Sequence, residues 1–334
     1  MNATPNIGTA PLGTAIEPHA PHWLSQAAFP VLVALFFLTQ VALSFAVYHA
    51  NYWLAVPLVL ISSHLMHGMT IGFHEASHGL LRKSRWLNEM DGIIIGSFSL
   101  MSFSLYRAAH QTHHAYLASE RDEELWPFVH PQMPRWSRIL AAVVELTIGI
   151  LFTPFLFART FLRRGSPIRN KKLRRRIWTE FALMAAVWTA TLTAIAVFDA
   201  WKYFLWLHLI PAWMAANMQS LRKYVEHVGL TGSTVNSSTR SIVGEGWLAR
   251  FLNFTLLHEP FHGVHHWRSG LPHPELPQHA AALEPKVDQE RPPFRSFGAA
   301  LQDLFLNLAN PRVGAQWLGV ARPTRQELAR QRSN

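Results

Sequence analysis

The chain contains no cysteine and few charged residues. None of its 334 residues is a cysteine, which excludes disulfides, thiolate-bound iron–sulfur clusters and a cysteine nucleophile. Only 15% of the residues are charged, whereas about 25% is usual for a soluble domain. Acidic residues are scarcer than basic ones, so the formal net charge is +10. The low charge, together with 49% hydrophobic residues, favours a membrane protein.

Much of the hydrophobic sequence is gathered into runs long enough to cross a bilayer. Four runs, at about 28–48, 54–73, 177–198 and 203–219, approach the roughly 20 residues that a spanning helix needs. Short turns with aromatic residues join the first two and the last two, which is typical of helical hairpins at a membrane interface. We predict an all-α membrane bundle of two hairpins, with interfacial helices and a cytoplasmic cap.

The remaining sequence divides around this bundle. We predict a flexible N-terminal tail over 1–26, a membrane domain over 27–280 and a cytoplasmic C-terminal tail over 281–334. Residues 1–26 contain no Lys or Arg, so the basic start of a signal peptide is missing. The C-terminal tail is expected to fold over the membrane domain, with an amphipathic helix at 296–308.

A strongly basic stretch sets the expected orientation. Residues 163–176 contain eight Lys or Arg and no acid, which predicts a cytoplasmic position. Cytoplasmic basic loops of this kind explain the positive net charge, so nucleic-acid binding is not needed to explain it. A fifth apolar run, 139–161, is interrupted by Pro154. If this run crossed the membrane, three crossings would separate the histidine clusters described next and would place them on opposite sides. We therefore predict that the run follows the interface or dips in and returns. We expect a multi-pass protein of a bacterial inner membrane.

Nine of the 19 histidines form three tight clusters and one isolated position. They are His74 and His78; His110, His113 and His114; His227; and His262, His265 and His266. Imidazole is well suited to hold iron, zinc or copper near neutral pH. Because a zinc site needs about three or four protein ligands, nine histidines are too many for one ion and about the number for two.

The spacing within each cluster places its imidazoles on one helix face. His74 and His78 are four residues apart, and HQTHH and HGVHH both have the spacing i, i+3, i+4. Lone histidines are usually structural, but three groups with helical ligand spacing indicate metal binding. His64, His67 and His208 fall within predicted spans and are expected to pack or hydrogen-bond between helices.

His227 and His258 are assigned by their neighbours. His227 directly follows Glu226 after the last predicted span, on the side where the third cluster lies, and we include it among the ligands. His258 precedes Pro260, and proline favours the first turn of a helix. A helix that starts there carries His262 but leaves His258 outside, so we give His258 a supporting role beside the metal.

Carboxylates next to the clusters are candidates for orienting the imidazoles. A metal-bound histidine usually donates its second N–H to such a group. The candidates are Glu75, Glu226, Glu259 and Asp122. The acidic run 122–124 fits a solvated loop equally well.

Two other functions compete with a two-metal enzyme. His74-Glu75-Ala76-Ser77-His78 matches HExxH, the motif in which a glutamate activates a zinc-bound water, so an intramembrane zinc protease is an alternative. That reading leaves about six histidines unexplained. A non-enzymatic metal transporter would place its ligands near the middle of the membrane rather than at helix ends.

The order HEASH, HQTHH and HGVHH over two hairpins resembles the membrane fatty acid desaturase and hydroxylase superfamily. The resemblance runs from about residue 30 to 280 and includes Glu226-His227 and Leu276-Pro277. It implies that the nine histidines hold two iron ions, which use O2 and two electrons to desaturate the acyl chain of a lipid. A hydroxylase or ketolase acting on a carotenoid or another hydrophobic substrate is the alternative within the superfamily. The first motif is HxxxH, whereas many acyl desaturases have HxxxxH, so it does not identify the substrate.

The two electrons are expected to come from another protein. The sequence has no GxGxxG nucleotide fingerprint and no cysteine for a cluster. The resemblance therefore implies a separate donor, a ferredoxin or a cytochrome b5-like protein, with its reductase. The basic stretch 163–176 could dock an acidic donor, although positive-inside topology alone also explains its charge.

Overall fold

A computed structural model describes residues 23–319 of the chain. Most of the predicted N-terminal tail, 1–22, and the last residues, 320–334, lie outside the described residues. Within 23–319 the regular structure is helical, and the β pairing is limited to an isolated bridge between Ile242 and Phe294. The predicted all-α fold is confirmed.

Thirteen α-helices lie within the described residues. They are α1 Trp23–Gln26, α2 Ala28–Tyr48, α3 Tyr52–His78, α4 Arg85–Phe98, α5 Phe103–Ala115, α6 Arg135–Leu162, α7 Lys171–Val197, α8 Trp201–Phe204, α9 Ile210–His227, α10 Val235–Ser238, α11 Trp247–Thr255, α12 His262–Trp267 and α13 Phe297–Leu308. A π-helical turn, Leu205–Leu209, joins α8 to α9, and 3₁₀ turns cover Glu259–Phe261, His273–Leu283 and Ala315–Leu318.

Four of these helices are long and apolar enough to cross a membrane: α2, α3, α6 and α7. Three of them correspond to the predicted spans 28–48, 54–73 and 177–198. The fourth predicted span, 203–219, is divided among α8, the π turn and α9. Helix α6 contains the run 139–161, which we predicted not to cross, so its path through the bundle decides the topology.

Both ends of α6 lie on the side of the bundle that carries the histidines. The helix is kinked at Ile148, which has non-helical φ −132° and ψ 44°. Just before the kink, the Thr147 carbonyl accepts a hydrogen bond from Trp213 Nε1 of α9 at 2.8 Å. Near the C-terminal end, Arg159 pairs at 3.2 Å with Glu123, the neighbour of Asp122. These contacts are compatible with the predicted dip-and-return path, but α6 is also long enough to span a membrane, so whether it crosses stays a prediction.

The first hairpin is held together by small residues. A Cβ built on Gly72 of α3 would lie 2.3 Å from the Phe29 ring of α2, and one on Gly68 would lie 3.1 Å from Leu32. The two helices can therefore approach closely only with glycine at these positions. This packing fixes the last turns of α3, which carry the first histidine cluster.

The described part of the C-terminal tail is packed onto the rest of the molecule. The predicted helix at 296–308 is observed as α13, and its Ala300 and Leu304 are fully buried in a cluster with Tyr224 and Val225 of α9. The 3₁₀ segment His273–Leu283 runs through the predicted boundary at residue 280. Residues 281–319 thus pack against the histidine-bearing end, and the domain boundary at residue 280 stays a prediction.

Candidate metal centre

Five of the predicted ligands form a first group at the end of α3. Their ring nitrogens all lie within 4.8 Å of one another. The group consists of His74, His78, His110, His114 and His265. The i, i+4 spacing of α3 and α5 brings four of these rings together, and α12 supplies the fifth. Helix α3 ends directly afterwards at Gly79, which has a left-handed φ of 78°, a conformation that favours glycine.

The other four predicted ligands form a second group beside the first. His113, His227 and His266 offer ring nitrogens within 4.8 Å of one another. His262 Nε2 lies 2.9 Å from His227 Nε2 and 3.0 Å from His266 Nε2. The two groups adjoin, since the rings of His114 and His266 stack with their centres 4.4 Å apart. All nine sequence-predicted ligands are therefore brought together.

Hydrogen bonds at the far side of the rings show that the second group suits a cation. His262 Nδ1 lies 2.9 Å from Glu259 Oε1, and His227 Nδ1 lies 3.1 Å from the Ser238 carbonyl. Both oxygens accept, so both Nδ1 atoms carry hydrogen and a neutral ring keeps a lone pair on Nε2. Those two Nε2 atoms, His262 and His227, are 2.9 Å apart. Two lone pairs at this distance repel unless a cation lies between them.

The first group has the same arrangement. His110 Nδ1 donates to Glu124 Oε1 at 3.0 Å, while its Nε2 lies 3.0 Å from Nε2 of both His78 and His114. Neither ring nitrogen of His74 has a hydrogen-bond partner in the described structure, although the side chain is buried. Buried polar atoms left in this way are costly, and a shared metal ion would satisfy one of the two. The residues of both groups fit metal ions.

Burial keeps most of these imidazoles neutral. It lowers the pKa of His110, His262 and His266 well below 6.5, and neighbouring positive charge lowers it further. His113 differs: burial lowers its pKa, but the charge and hydrogen bond of Asp122 outweigh this and raise it to about 9. Burial also raises the pKa of the Glu124 carboxyl to about 7. Neutral imidazoles are the form that binds a metal.

Two of the four predicted carboxylates accept hydrogen bonds from the outer nitrogens of ligand histidines, and a third lies nearby without a hydrogen bond. Asp122 is fully buried and accepts from His113 Nδ1 at 2.8 Å. Glu259 accepts from His262, while Glu226 lies 3.6 Å from the same nitrogen. Asp122 is not part of a solvated loop, because His113 and the backbone N–H of Ala118, at 2.8 Å, hold it in place.

Glu75 is the fourth predicted carboxylate and is placed differently. Its carboxylate is fully buried and lies 3.7 Å from His74 Nδ1, too far for a hydrogen bond. In an HExxH protease this glutamate would act beside one zinc held by His74 and His78. Those two histidines instead share a group with three more imidazoles, which is not the three-ligand site of a catalytic zinc.

The structure adds three groups that the sequence reasoning did not assign. Glu124 orients His110, the Ser238 carbonyl orients His227, and Arg222 joins Glu226 at 2.7 Å to Glu259 at 3.0 Å. The acidic run 122–124 next to HQTHH was the available signal for Glu124. A backbone carbonyl leaves no mark in the sequence.

His258 lies outside both groups. It has a left-handed φ of 55° before the 3₁₀ turn Glu259–Phe261, so it leaves the face of α12 as Pro260 predicted. Its Nδ1 lies 3.2 Å from Nδ1 of His273. His64 bonds Thr255 of α11 at 2.8 Å, and the His208 ring lies 5.2 Å from that of Trp188 of α7, as expected of residues that pack between helices.

Comparison with known proteins identifies relatives over most of the helical core. The sequence profile of the family "Fatty acid desaturase" matches residues 50–298. A Delta(12)-acyl-lipid-desaturase of Punica granatum is 24% identical over 243 residues, which cover 65% of this chain and 62% of the relative. A bifunctional desaturase/conjugase of Vernicia fordii is 23% identical, covering 64% of this chain and 61% of the relative.

A bacterial relative extends the comparison. The sn-1 acyl-lipid omega-3 desaturase (ferredoxin) of a Synechocystis strain is 26% identical over 169 residues, covering 49% of this chain and 46% of the relative. The chain thus spans about three fifths or less of the length of these three curated relatives. The origin of this chain in a bacterial inner membrane stays a prediction.

Proposed function

The chain belongs to the fatty acid desaturase family, and we propose that it desaturates the acyl chain of a lipid at a di-iron centre. The observation that carries the proposal is the pair of adjoining histidine groups, one of five and one of four imidazoles. Desaturation removes two hydrogen atoms from adjacent carbons, and with two electrons and two protons it reduces O2 to two water molecules. Two bound iron ions would supply the oxidation of an unactivated C–H bond.

The protein contributes ligand geometry and protection from water. Asp122, Glu124 and Glu259 each hold the Nδ1–H of one imidazole, which fixes the tautomer and directs Nε2 toward the metal. Arg222 pairs with both Glu226 and Glu259 in a region largely closed to solvent. The rings therefore need little rearrangement when a metal binds.

An acyl lipid is the substrate class that fits best. The relatives from Punica granatum and Synechocystis are named for acyl-lipid substrates, and α2 and α7 expose apolar side chains along much of their length. A substrate held in the bilayer could present its chain to the centre from the membrane. The position of the new double bond follows from the depth at which the chain is held.

The electron donor is proposed to be a small soluble protein of the ferredoxin class. The name of the Synechocystis relative includes ferredoxin, and its electrons would arrive at the cytoplasmic side. The basic residues between 163 and 176 are exposed at several positions, including Arg164, Arg169 and Lys172. Acidic donors are attracted to such a surface, and the attraction weakens with salt.

Metal analysis and lipid profiling together test the proposal. The purified chain, loaded with iron, is expected to hold two irons, and a host that expresses it should gain an unsaturated acyl species. One zinc per chain would contradict the metal assignment and favour the HExxH alternative. An oxygenated lipid or pigment with two irons would retain the centre but replace desaturation by hydroxylation.

A further inference from the structure

A short helix of the cap, α11, departs from the level of the metal centre and returns to it. The two ends of this segment meet at a point that we call the neck, where the Ile242 N–H donates to the Pro260 carbonyl at 2.8 Å. Between these residues the chain runs out along α11 and turns back through Leu256 and Leu257. Residues 243–259 therefore form a closed loop that begins and ends beside the third histidine cluster.

The far end of this loop lies below the metal centre, toward the membrane bundle. Thr255 Oγ1 is 2.8 Å from His64 Nε2 of α3, and a Cβ on Gly68 would meet the Thr255 carbonyl at 2.6 Å. His64 precedes His74 by ten residues, or about 15 Å along a helix. The nine residues of α11 span about 13 Å, which is close to the distance along α3 between His74 and His64.

One face of α11 packs on the bundle. Leu252 and Phe254 join Leu32 of α2 and Leu65 of α3 in one hydrophobic cluster. Leu32 lies only four residues after the start of the first predicted span, near residue 28, which corresponds to a depth of about 6 Å below the membrane surface. On α3, His64 is nine residues inside the predicted end at residue 73, at about 14 Å. Helix α11 therefore enters the hydrophobic zone without crossing it.

The other face of α11 is apolar and largely exposed in the described structure, with Phe251 at its edge stacked on the His64 ring at 5.9 Å between ring centres. Trp247 is 80% exposed, and Leu248 and Phe251 are each 51% exposed. Helix α2, on which α11 packs, exposes Leu38 by 67% on its own membrane-facing side. Arg250 does not interrupt this surface, because its Nε donates back to the Glu245 carbonyl at 2.9 Å near the neck, as an arginine does when it snorkels.

We propose that residues 243–259 form a re-entrant element whose face of Trp247, Leu248 and Phe251 contacts the acyl chains of the leaflet on the histidine side. Because α11 packs on Leu32 and Leu65 within the first two predicted spans, its depth is that of an interfacial helix. The element connects directly to the third histidine cluster, so lipid contact fixes the position of α12 as well as the cap. The inference needs only the membrane bundle and does not depend on the reaction.

The absence of cysteine allows a direct depth measurement on the full chain in lipid nanodiscs. Single-cysteine variants Trp247→Cys, Leu248→Cys and Phe251→Cys carry an environment-sensitive fluorophore, and phosphatidylcholines spin-labelled at two depths act as quenchers. Leu38→Cys is the lipid-exposed control. Glu284→Cys, at an exposed cap position, is the water-exposed control.

All three α11 positions are expected to be quenched as strongly as Leu38→Cys and several-fold more than Glu284→Cys. Phe251→Cys, one turn further along α11, should respond more than Trp247→Cys to the deeper spin label. Quenching at the level of Glu284→Cys, with full access to aqueous iodide, would overturn the proposal.

A second measurement avoids any substitution in α11. An apolar photoreactive probe dissolved in the bilayer should label the unmodified chain at 247–251, with peptide mapping by mass spectrometry. Labelling of α2 without labelling of α11 would also refute lipid contact. Neither the quenching nor the labelling experiment measures iron content or lipid products. Failure of this proposal can therefore be distinguished from failure of the proposed function.

Discussion

The imidazoles divide five to four between two groups, so if each group holds one iron, as proposed, variants of single ligands should differ in which iron they retain. His266 is in the second group but stacks against His114 of the first. We predict that His266→Ala and His114→Ala each lose iron and at least 100-fold of activity, while the protein still inserts in the membrane. Iron content per chain and product formation measure this.

His258→Ala is the matched control for those variants. His258 is buried beside the centre, yet it contacts His273 rather than either group. We expect this variant to keep both irons and to lose activity only in part. Loss of a whole iron from His258→Ala would make His258 a ligand, and full activity in His266→Ala would remove His266 from the set.

Substituting the carboxylates that contact the outer histidine nitrogens should weaken the binding of one iron ion at a time. Asp122 contacts His113 of the second group, whereas Glu124 contacts His110 of the first. Replacing such a partner typically costs about 10- to 100-fold in metal affinity. We predict that Asp122→Asn and Glu124→Gln each release one iron to a chelator about tenfold more readily and retain the other.

Mössbauer spectra of the half-depleted proteins separate the two cases. The iron that remains in Asp122→Asn should differ in its signature from the iron that remains in Glu124→Gln. Identical spectra would mean that the two groups do not bind iron independently.

At the scale of the elements, the crossing of α6 over α9 depends on one glycine. A Cβ on Gly149 would lie 2.6 Å from Ser220 Oγ and 2.9 Å from the Ala216 carbonyl, next to the kink at Ile148. We predict that Gly149→Ala destabilises the protein by about 1–3 kcal/mol, because the crossing is already closely packed. Thermal unfolding in detergent or nanodiscs measures this.

Gly298 of α13 is the control, since a Cβ there would have only Ser296 Oγ nearby, at 3.9 Å. Alanine at an unobstructed helical position stabilises by about 0.5–1 kcal/mol. The two glycine-to-alanine variants should therefore shift the unfolding temperature in opposite directions. A shift of the same sign in both would show that the α6–α9 crossing is not close.

The sequence predicted those elements whose pattern is local. Hydrophobic runs gave α2, α3 and α7, and i, i+3, i+4 spacing gave the faces that carry the nine histidines. Pro260 correctly separated His258 from His262, because proline acts on the backbone of its own turn. These features need no knowledge of distant contacts.

Features that depend on contacts distant in sequence were missed. The π turn at Leu205–Leu209 interrupts a run that looked continuous. Asp122 and Glu124 resemble a solvated acidic loop until α5 is packed beside them. Helix α11 is too short for a span, and its depth follows only from contacts distant in sequence, such as that between Thr255 and His64.

At the scale of the whole molecule, the position of α6 decides how many times the chain crosses the membrane. Because the rings of His113 and His227 lie 5.0 Å apart, an even number of crossings must lie between them. We expect α7 and the combined helix of α8, the π turn and α9 to provide two. Contacts at Thr147 and Glu123 place the middle of α6 within the bundle and its C-terminal end back beside the histidines.

Single cysteines at exposed positions can test this topology. We predict that Gln132→Cys and Arg164→Cys, at the two ends of α6, react with a membrane-impermeant maleimide from the cytoplasmic side. His49→Cys and Lys202→Cys, in the turns of the two hairpins, should react from the opposite side. The basic stretch that includes Arg164 should remain in the cytoplasm in accordance with the positive-inside rule.

Labelling intact and inverted vesicles distinguishes the possible results. If Gln132→Cys and Arg164→Cys reacted from opposite sides, α6 would be a full span, and the histidine groups could not assemble without moving α7 or α9 out of the bilayer. If all four cysteines reacted from the sides opposite to those predicted, the arrangement of the helices would be retained, but the electron donor would have to approach from the other compartment. The predicted pattern alone places the nine histidines, the basic stretch and a soluble electron donor on the same side.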